Sequence, residues 1–149
     1  AFDESRIKAA YLAAPAYIVN GNPLQLLRTM FIPMKRYMKT GKSKHVRRFL
    51  SEIFTDDDPF ALAFLSQVFL HFEMDFTPVP VISKKEAGRI QTPITLFAAE
   101  HDLVFPGEKM IKRARKLFPN LRQIVLFEDS KHVQSRAHND QIEALILEA

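Results

Sequence analysis

LFAAEHDLVFPGEKM, residues 96–110, runs from an apolar strand pattern into an acidic loop and out again into a helix pattern. With Ile94 and Thr95 in front of it, the first part is "ITLFAA", rich in β-branched and aromatic residues as a buried strand is. Asp102 is disfavoured in strands, so its place just beyond Ala99 marks either a turn or a working side chain. Working outward, "RQIVLF" (Arg122 to Phe127) is a second strand pattern, and "IKAAYLAA" (Ile7 to Ala14), closed by Pro15, is an earlier one suited to burial on both faces. Between the later two strands, Met110, Ile111, Ala114, Leu117 and Phe118 recur at i, i+1, i+4, i+7 and i+8, which is one face of a helix. After the last strand, Ala137, Ile142, Leu145 and Ile146 repeat that pattern, with Ser135 as N-cap. Apolar strands alternating with helices predict an α/β fold with a parallel sheet.

The middle of the chain is of another kind. From about Gly21 to Gly88 no strand is expected; Phe-rich helical stretches are separated by Gly41, "TDDDP" and "TPVPV". In "TDDDPF", Asp58 is placed as an N-cap and Pro59 at the first helical position, with negative charge at the positive end of the helix dipole. A metal reading of the three carboxylates lacks a second ligand cluster at fitting spacing, so capping is preferred. The helix that follows, "PFALAFLSQVFLHFEM", is apolar nearly all round and is expected to be enclosed or to line a greasy cavity. Its residues Phe60, Phe64, Phe69, Phe72 and Met74 read as core, or else as an acyl or aromatic pocket.

Composition narrows the classes of function. A chain of 149 residues, 47% hydrophobic and 26% charged, has the make-up of an ordinary globular domain. It has no cysteine, which removes disulfides and thiolate metal sites. No apolar run is long enough to span a bilayer and the opening residues carry no export signal, which gives a cytoplasmic expectation. A start at Ala1 that enters a strand almost at once suggests the later part of something longer. The net charge of +4 comes largely from Lys35, Arg36, Lys39, Lys42, Lys44, Arg47 and Arg48. Without stacking aromatics interleaved among them, they read as a solvated helical face, and no nucleic-acid partner is expected.

In a parallel α/β sheet, ligands gather beyond the carboxyl ends of the strands. Asp102 follows the strand ending at Ala99, and His132 follows the strand ending at Phe127, so the sequence places a carboxylate and an imidazole on one rim. A carboxylate accepting from one ring nitrogen fixes the tautomer and frees the other nitrogen to take a proton from a nucleophile. Competing residues are weighed beside them. Glu100 is an alternative acid; His101 beside Asp102 invites a metal reading without further ligands at fitting spacing; His138 belongs to the first turn of the last helix; His45 and His71 belong to the helical middle.

"TPITLFAAEHDLVFP" followed by "NLRQIVLFEDSKHV" resembles the last third of α/β-hydrolase-fold enzymes, in which a triad acid in a D-x-x-x-P setting follows one strand and the triad His follows the next. "IKAAYLAAPA" is similar to the strand that precedes the family's helical cap. The resemblance implies the C-terminal portion of an α/β-hydrolase parallel sheet with a helical cap insertion: residues 1–20 and 89–149 as partial core, residues 21–88 as cap or lid. Many relatives have Gly where this chain has Ala99 and Lys131, which implies differently shaped loops. The family's nucleophile elbow, G-x-S-x-G, has no match here, since Gly21, Gly41, Gly88 and Gly107 are not spaced around a Ser. The implied role is the C-terminal part of a serine hydrolase of the carboxylesterase or lipase-like kind. Asp102 and His132 would serve an upstream Ser acting on a small-molecule ester with an apolar portion, without metal or organic cofactor. The chain alone is expected to be inactive. "HDLVFP" is also similar to the acid loop of homoserine acyltransferase-like members, and an acyltransferase, thioesterase or C–C hydrolase on the same fold is the first alternative. A non-catalytic binding or assembly module is the second. The opening strand is expected to lack a partner along one edge, which predicts joining to a missing N-terminal half of the fold or self-association into a homo-oligomer.

Overall fold

The computed structural model describes residues 6–72, 77 and 79–148. Three parallel strands, β1 (Ala10–Ala13), β2 (Ile94–Ala99) and β3 (Leu121–Phe127), form one sheet in the order β1-β2-β3. Ala10 pairs with Ile94 and Ala13 with Phe97; on the other side Leu96 pairs with Ile124 and Ala99 with Phe127. β2 is the middle strand, and Leu96, Phe97, Ala98 and Ala99 are all fully buried. The expectation of burial on both faces therefore holds for β2 but not for β1, which is shorter than Ile7 to Ala14 and only half-buried. The reason is position: β1 lies at the sheet's edge, and Ile7 is exposed.

Between β2 and β3 lies one of the seven α-helices among the described residues, α6 (Gly107–Leu117), which buries Met110, Ala114 and Leu117 against the sheet. The last helix, α7 (Arg136–Leu147), is capped by the Ser135 hydroxyl, which accepts from the His138 amide. None of its residues is buried, and Ala137 and Ile146 are exposed, so the apolar stripe read from its spacing is only partly covered. Its inner attachment includes the His138 ring stacked on Phe127 at 4.5 Å.

From β1 to β2 the chain forms α1 (Pro23–Leu26), α2 (Ile32–Thr40), α3 (Ser43–Ile53), α4 (Pro59–His71) and α5 (Lys84–Ala87). No strand occurs there among the described residues. A π-helical turn, Leu27–Phe31, joins α1 to α2. Pro33 explains it, because its missing N–H cannot close the preceding turn, and the widened turn instead bonds Ile32 N–H to Leu27 C=O. Gly41, at φ 64°, ends α2 in the left-handed conformation that suits glycine. Asp58 caps α4 as expected, its Oδ1 accepting from the Ala61 amide at 2.9 Å, with Pro59 at the first helical position. α4 is not enclosed, however. One side packs through Leu62, Leu65 and Phe69 onto Met34, Tyr37, Val46 and Phe49, while Phe60 is 80% and Phe64 58% exposed on the other. Phe69 is plain core, edge-on to Phe49 at 5.2 Å, and Met74 lies outside the described residues. Most of the buried apolar side chains thus gather in two clusters, one under the sheet and one among α2, α3 and α4. Among the described residues no helix is long and apolar enough to cross a membrane.

Candidate functional site

β2 ends at Ala99 and the chain turns at once, the Asp102 amide approaching the Ala99 carbonyl at 3.4 Å. Asp102 then holds the loop from within: its Oδ1 accepts from Val104 N–H at 2.7 Å and from Phe105 N–H at 2.9 Å. Such side-chain-to-backbone bonds replace the ladder the strand has left, which is why a strand-averse residue sits there. The loop is also pinned from both ends. A Cβ on Gly21 would meet the Leu103 carbonyl oxygen at 1.9 Å, and one on Gly107 the Ala99 oxygen at 2.4 Å, so only glycine permits either approach. Gly21 N–H donates to Val104 C=O at 2.8 Å across the same contact.

β3 ends at Phe127, and its loop turns through Asp129 at φ 52°. Neither Ala99 nor Lys131 has positive φ, so the absence of glycine at those two positions requires no strained backbone. The Ser130 carbonyl accepts from His101 N–H at 2.8 Å, tying the two loops together. His132 follows, and its Nδ1 lies 2.9 Å from Asp102 Oδ2. The Asp102 side chain is wholly buried and that of His132 is 30% exposed. Because a carboxylate only accepts, the shared proton belongs to Nδ1 of the ring, and Nε2 of the neutral imidazole is left with a free lone pair. Nε2 has no hydrogen-bond partner among the described residues. Phe105 supports the ring edge-on at 5.4 Å. The arrangement can take a proton at Nε2 and stabilise the resulting imidazolium beside a buried carboxylate.

The competing residues fall elsewhere. Glu100 accepts from the Asp129 amide at 3.2 Å rather than pairing with His132. His101 lies 3.8 Å from Glu100 and 3.6 Å from Asp129 through its Nε2, so it turns away from Asp102. Glu100, His101 and Asp129 bring one ligand atom each to within 4.8 Å of one another, a grouping the sequence reading lacked because Asp129 comes from the other loop. All three are exposed, and it reads as a surface ion-pair group. His138 stacks on Phe127, and its buried Nδ1 has no hydrogen-bond partner among the described residues. His71 ends α4, exposed. His45 lies near the start of α3, held below its ordinary value by desolvation first and then by Lys44, Arg36, Lys42 and Arg48. The seven basic side chains of that region are all exposed, as a solvated face is.

A cleft of about 350 Å³ opens beside Asp102, lined among others by Asn22, Gln25, Leu103, Pro106 and Lys109. A second, of about 360 Å³, lies between α3 and the start of α4, with Lys131 at its wall. Sequence reasoning missed the support of the His132 loop altogether: Phe54 pairs with Val133 in a short parallel bridge, and Thr55 bonds on both sides of the histidine. Nothing in the local sequence could have paired positions so far apart.

No protein-family model and no curated protein matches the sequence. Solved structures do match the fold. Naproxen esterase (carboxylesterase NP) from Bacillus subtilis superposes with a TM-score of 0.72 at 18% identity, over 96% of this chain and 51% of that one. A meta-cleavage product hydrolase from Pseudomonas fluorescens gives 0.67 at 12% identity, over 96% and 55%. A thermophilic esterase from Thermogutta terrifontis gives 0.58 at 14%, over 97% and 56%. The chain therefore has the fold of the C-terminal part of an α/β-hydrolase, and it spans about half the length of the structures it matches.

Proposed function

We propose that Asp102 and His132 are the orienting acid and the general base of a serine hydrolase that cleaves an ester with an apolar portion. The observation that carries this reading is the 2.9 Å contact between the buried Asp102 Oδ2 and His132 Nδ1, made at the carboxyl ends of adjacent parallel strands. Solved structures of the same fold that are named as esterases and hydrolases support it. In this mechanism His132 Nε2 takes the proton of a serine hydroxyl as the hydroxyl oxygen attacks the ester carbonyl. The imidazolium, stabilised by Asp102, then returns that proton to the leaving alcohol; a second cycle with water releases the acid. No G-x-S-x-G turn occurs in the sequence, and in this scheme the serine belongs to the N-terminal half of the fold. The outer edge of β1, which no described strand pairs, is where the remainder of the sheet would join. The helices between β1 and β2 act as a cap, and no metal or organic cofactor enters the scheme. Acyl transfer and C–C bond hydrolysis would use the same pair and differ in the acceptor and the bond cleaved.

The test is hydrolysis of p-nitrophenyl esters by the protein carrying its nucleophile, with Asp102→Asn and His132→Ala. Both variants should lose nearly all turnover, and near-normal turnover in either rejects the assignment. A second reading, a non-catalytic assembly module, is favoured by the same open edge together with exposed Leu24 and Phe60. It expects a stable homo-oligomer of this chain in sedimentation, and a folded monomer would dismiss it.

A further inference from the structure

We propose that Thr55, on the segment between α3 and α4, is the positioning residue that fixes the backbone of His132. The proposal rests on the reading of His132 as base. A hydroxyl has one proton to give and lone pairs to accept with, and Thr55 uses both on the two neighbours of the histidine. Its Oγ1 donates to Val133 C=O at 2.7 Å and accepts from Lys131 N–H at 2.9 Å. Its amide donates to the same Val133 carbonyl at 3.0 Å, and Val133 N–H returns a bond to Ile53 C=O at 2.7 Å. The two residues that flank His132, Lys131 and Val133, are thus both tied through backbone groups to residues 53–55.

Two further contacts close the frame. Lys131 Nζ donates to Ser51 C=O at 2.7 Å, at the end of α3, and the wholly buried Ser130 hydroxyl lies 3.4 Å from Thr55 Oγ1. On the opposite side, the acid loop holds the base loop at Ser130, through His101 N–H, and at Asp129, whose amide donates to the Glu100 carboxylate. Rotation of the His132 backbone would move Nδ1 off Asp102, because the side chain is anchored to it at a single ring contact and a flanking phenyl. Residues separated by more than seventy positions make these bonds, so they are tertiary clamps and not turn chemistry. On this proposal the α3–α4 junction and the base loop move together, and displacing the junction withdraws His132 from Asp102.

Thr55→Val keeps the shape and removes the hydroxyl; Thr55→Ser keeps the hydroxyl. The protein with ¹⁵N-labelled histidine is followed by NMR through the His132 Nδ1–H signal and its exchange with solvent. Loss of the clamp is expected to speed that exchange about tenfold or abolish the signal in Thr55→Val, the scale of one buried hydrogen bond left unmade. Thr55→Ser should restore the wild-type signal, and Thr40→Val, which removes a hydroxyl bonded to Arg36 C=O and Lys42 N–H at the exposed end of α2, should leave it unchanged. In the nucleophile-bearing enzyme, Thr55→Val should lower kcat with little change in KM. An unaltered His132 signal and kcat in Thr55→Val overturns the proposal. If Thr55→Val does not fold, wild-type amide exchange decides: Lys131 and Val133 amides as slow as those of α3 support the clamp, and exchange at the rate of open-loop amides overturns it. Should His132→Ala retain turnover, the base assignment fails by itself, whereas an inactive His132→Ala beside an unaffected Thr55→Val refutes only the clamp.

Discussion

Replacing Asp102 separates its two duties, because its two oxygens do different things. Oδ1 accepts the Val104 and Phe105 amides at 2.7 and 2.9 Å, and Oδ2 meets His132 Nδ1 at 2.9 Å. Asp102→Asn leaves a carbonyl oxygen for the two amides but turns an N–H₂ group toward the ring. The imidazole must then accept at Nδ1 and carry its proton on Nε2, where a base is needed. Reversal of the tautomer in a serine-hydrolase triad costs about 10⁴ in kcat, and that is the loss expected here. Folding should suffer less, about 1–2 kcal/mol for the lost charge assistance. Asp102→Ala removes both acceptor oxygens and with them all three hydrogen bonds. With the side chain wholly buried, the orphaned donors should cost about 3–4 kcal/mol in total, part of the penalty being relieved by water reaching the half-buried amides. For a chain of this size that lowers Tm by about 10 °C. Thermal melts by circular dichroism and imidazole ¹⁵N shifts measure both effects. An Asn variant that keeps Nδ1–H and full turnover, or an Ala variant that melts within about a degree of wild type, would refute the reasoning.

Two more perturbations probe the surroundings. Gly21→Ala drives a methyl into the Leu103 carbonyl, a backbone atom that cannot swing aside, and should cost about 3 kcal/mol while displacing the Asp102 loop; a wild-type melt with an intact His132 Nδ1–H signal would show that the loop yields freely. Glu86 is held below its ordinary value of 4.5, first by the Ser83 hydroxyl and next by the Ser83 amide. A depressed carboxyl stabilises the fold above 4.5 and loses that contribution as pH falls through its folded value. Ser83→Ala should move the Glu86 titration upward and flatten this acid limb, as read by carboxyl ¹³C shifts, and an unmoved titration would contradict the assignment.

Legibility followed burial and locality. β2 occurs over Ile94–Ala99 as its composition indicates, because a middle strand buried on both faces has its limits set by the apolar run itself. β1 carries a similar run yet forms only Ala10–Ala13, since pairing along one edge supports fewer residues. The helix face of Met110, Ala114 and Leu117 lies against the sheet, whereas the equivalent stripe on α7 has only partial cover. α4 looked enclosed from its apolar circumference, but one side of a helix can be satisfied while Phe60 and Phe64 face outward. The meeting of Asp102 with His132 was legible because each follows the end of a strand, and parallel strands put both ends on one rim. Thr55, Ser130 and Phe105 were not, since their contacts depend on tertiary distance and on no local pattern.

The two members of the pair are held by different means, and this bears on what could switch the site. Asp102 sits in a loop that is stable by its own bonds: two internal amides, a glycine contact at each end, and no exposed atom on its carboxylate. His132 sits in a loop whose flanking residues Lys131 and Val133 bond to residues 53–55, of which Ile53 and Phe54 pack with the separate core of the helical segment. Local opening takes the element with the fewer internal bonds first. If the Thr55 clamp holds as proposed, a displacement of the α3–α4 junction is expected to pull first on Lys131 and Val133, and so on the base more directly than on the acid.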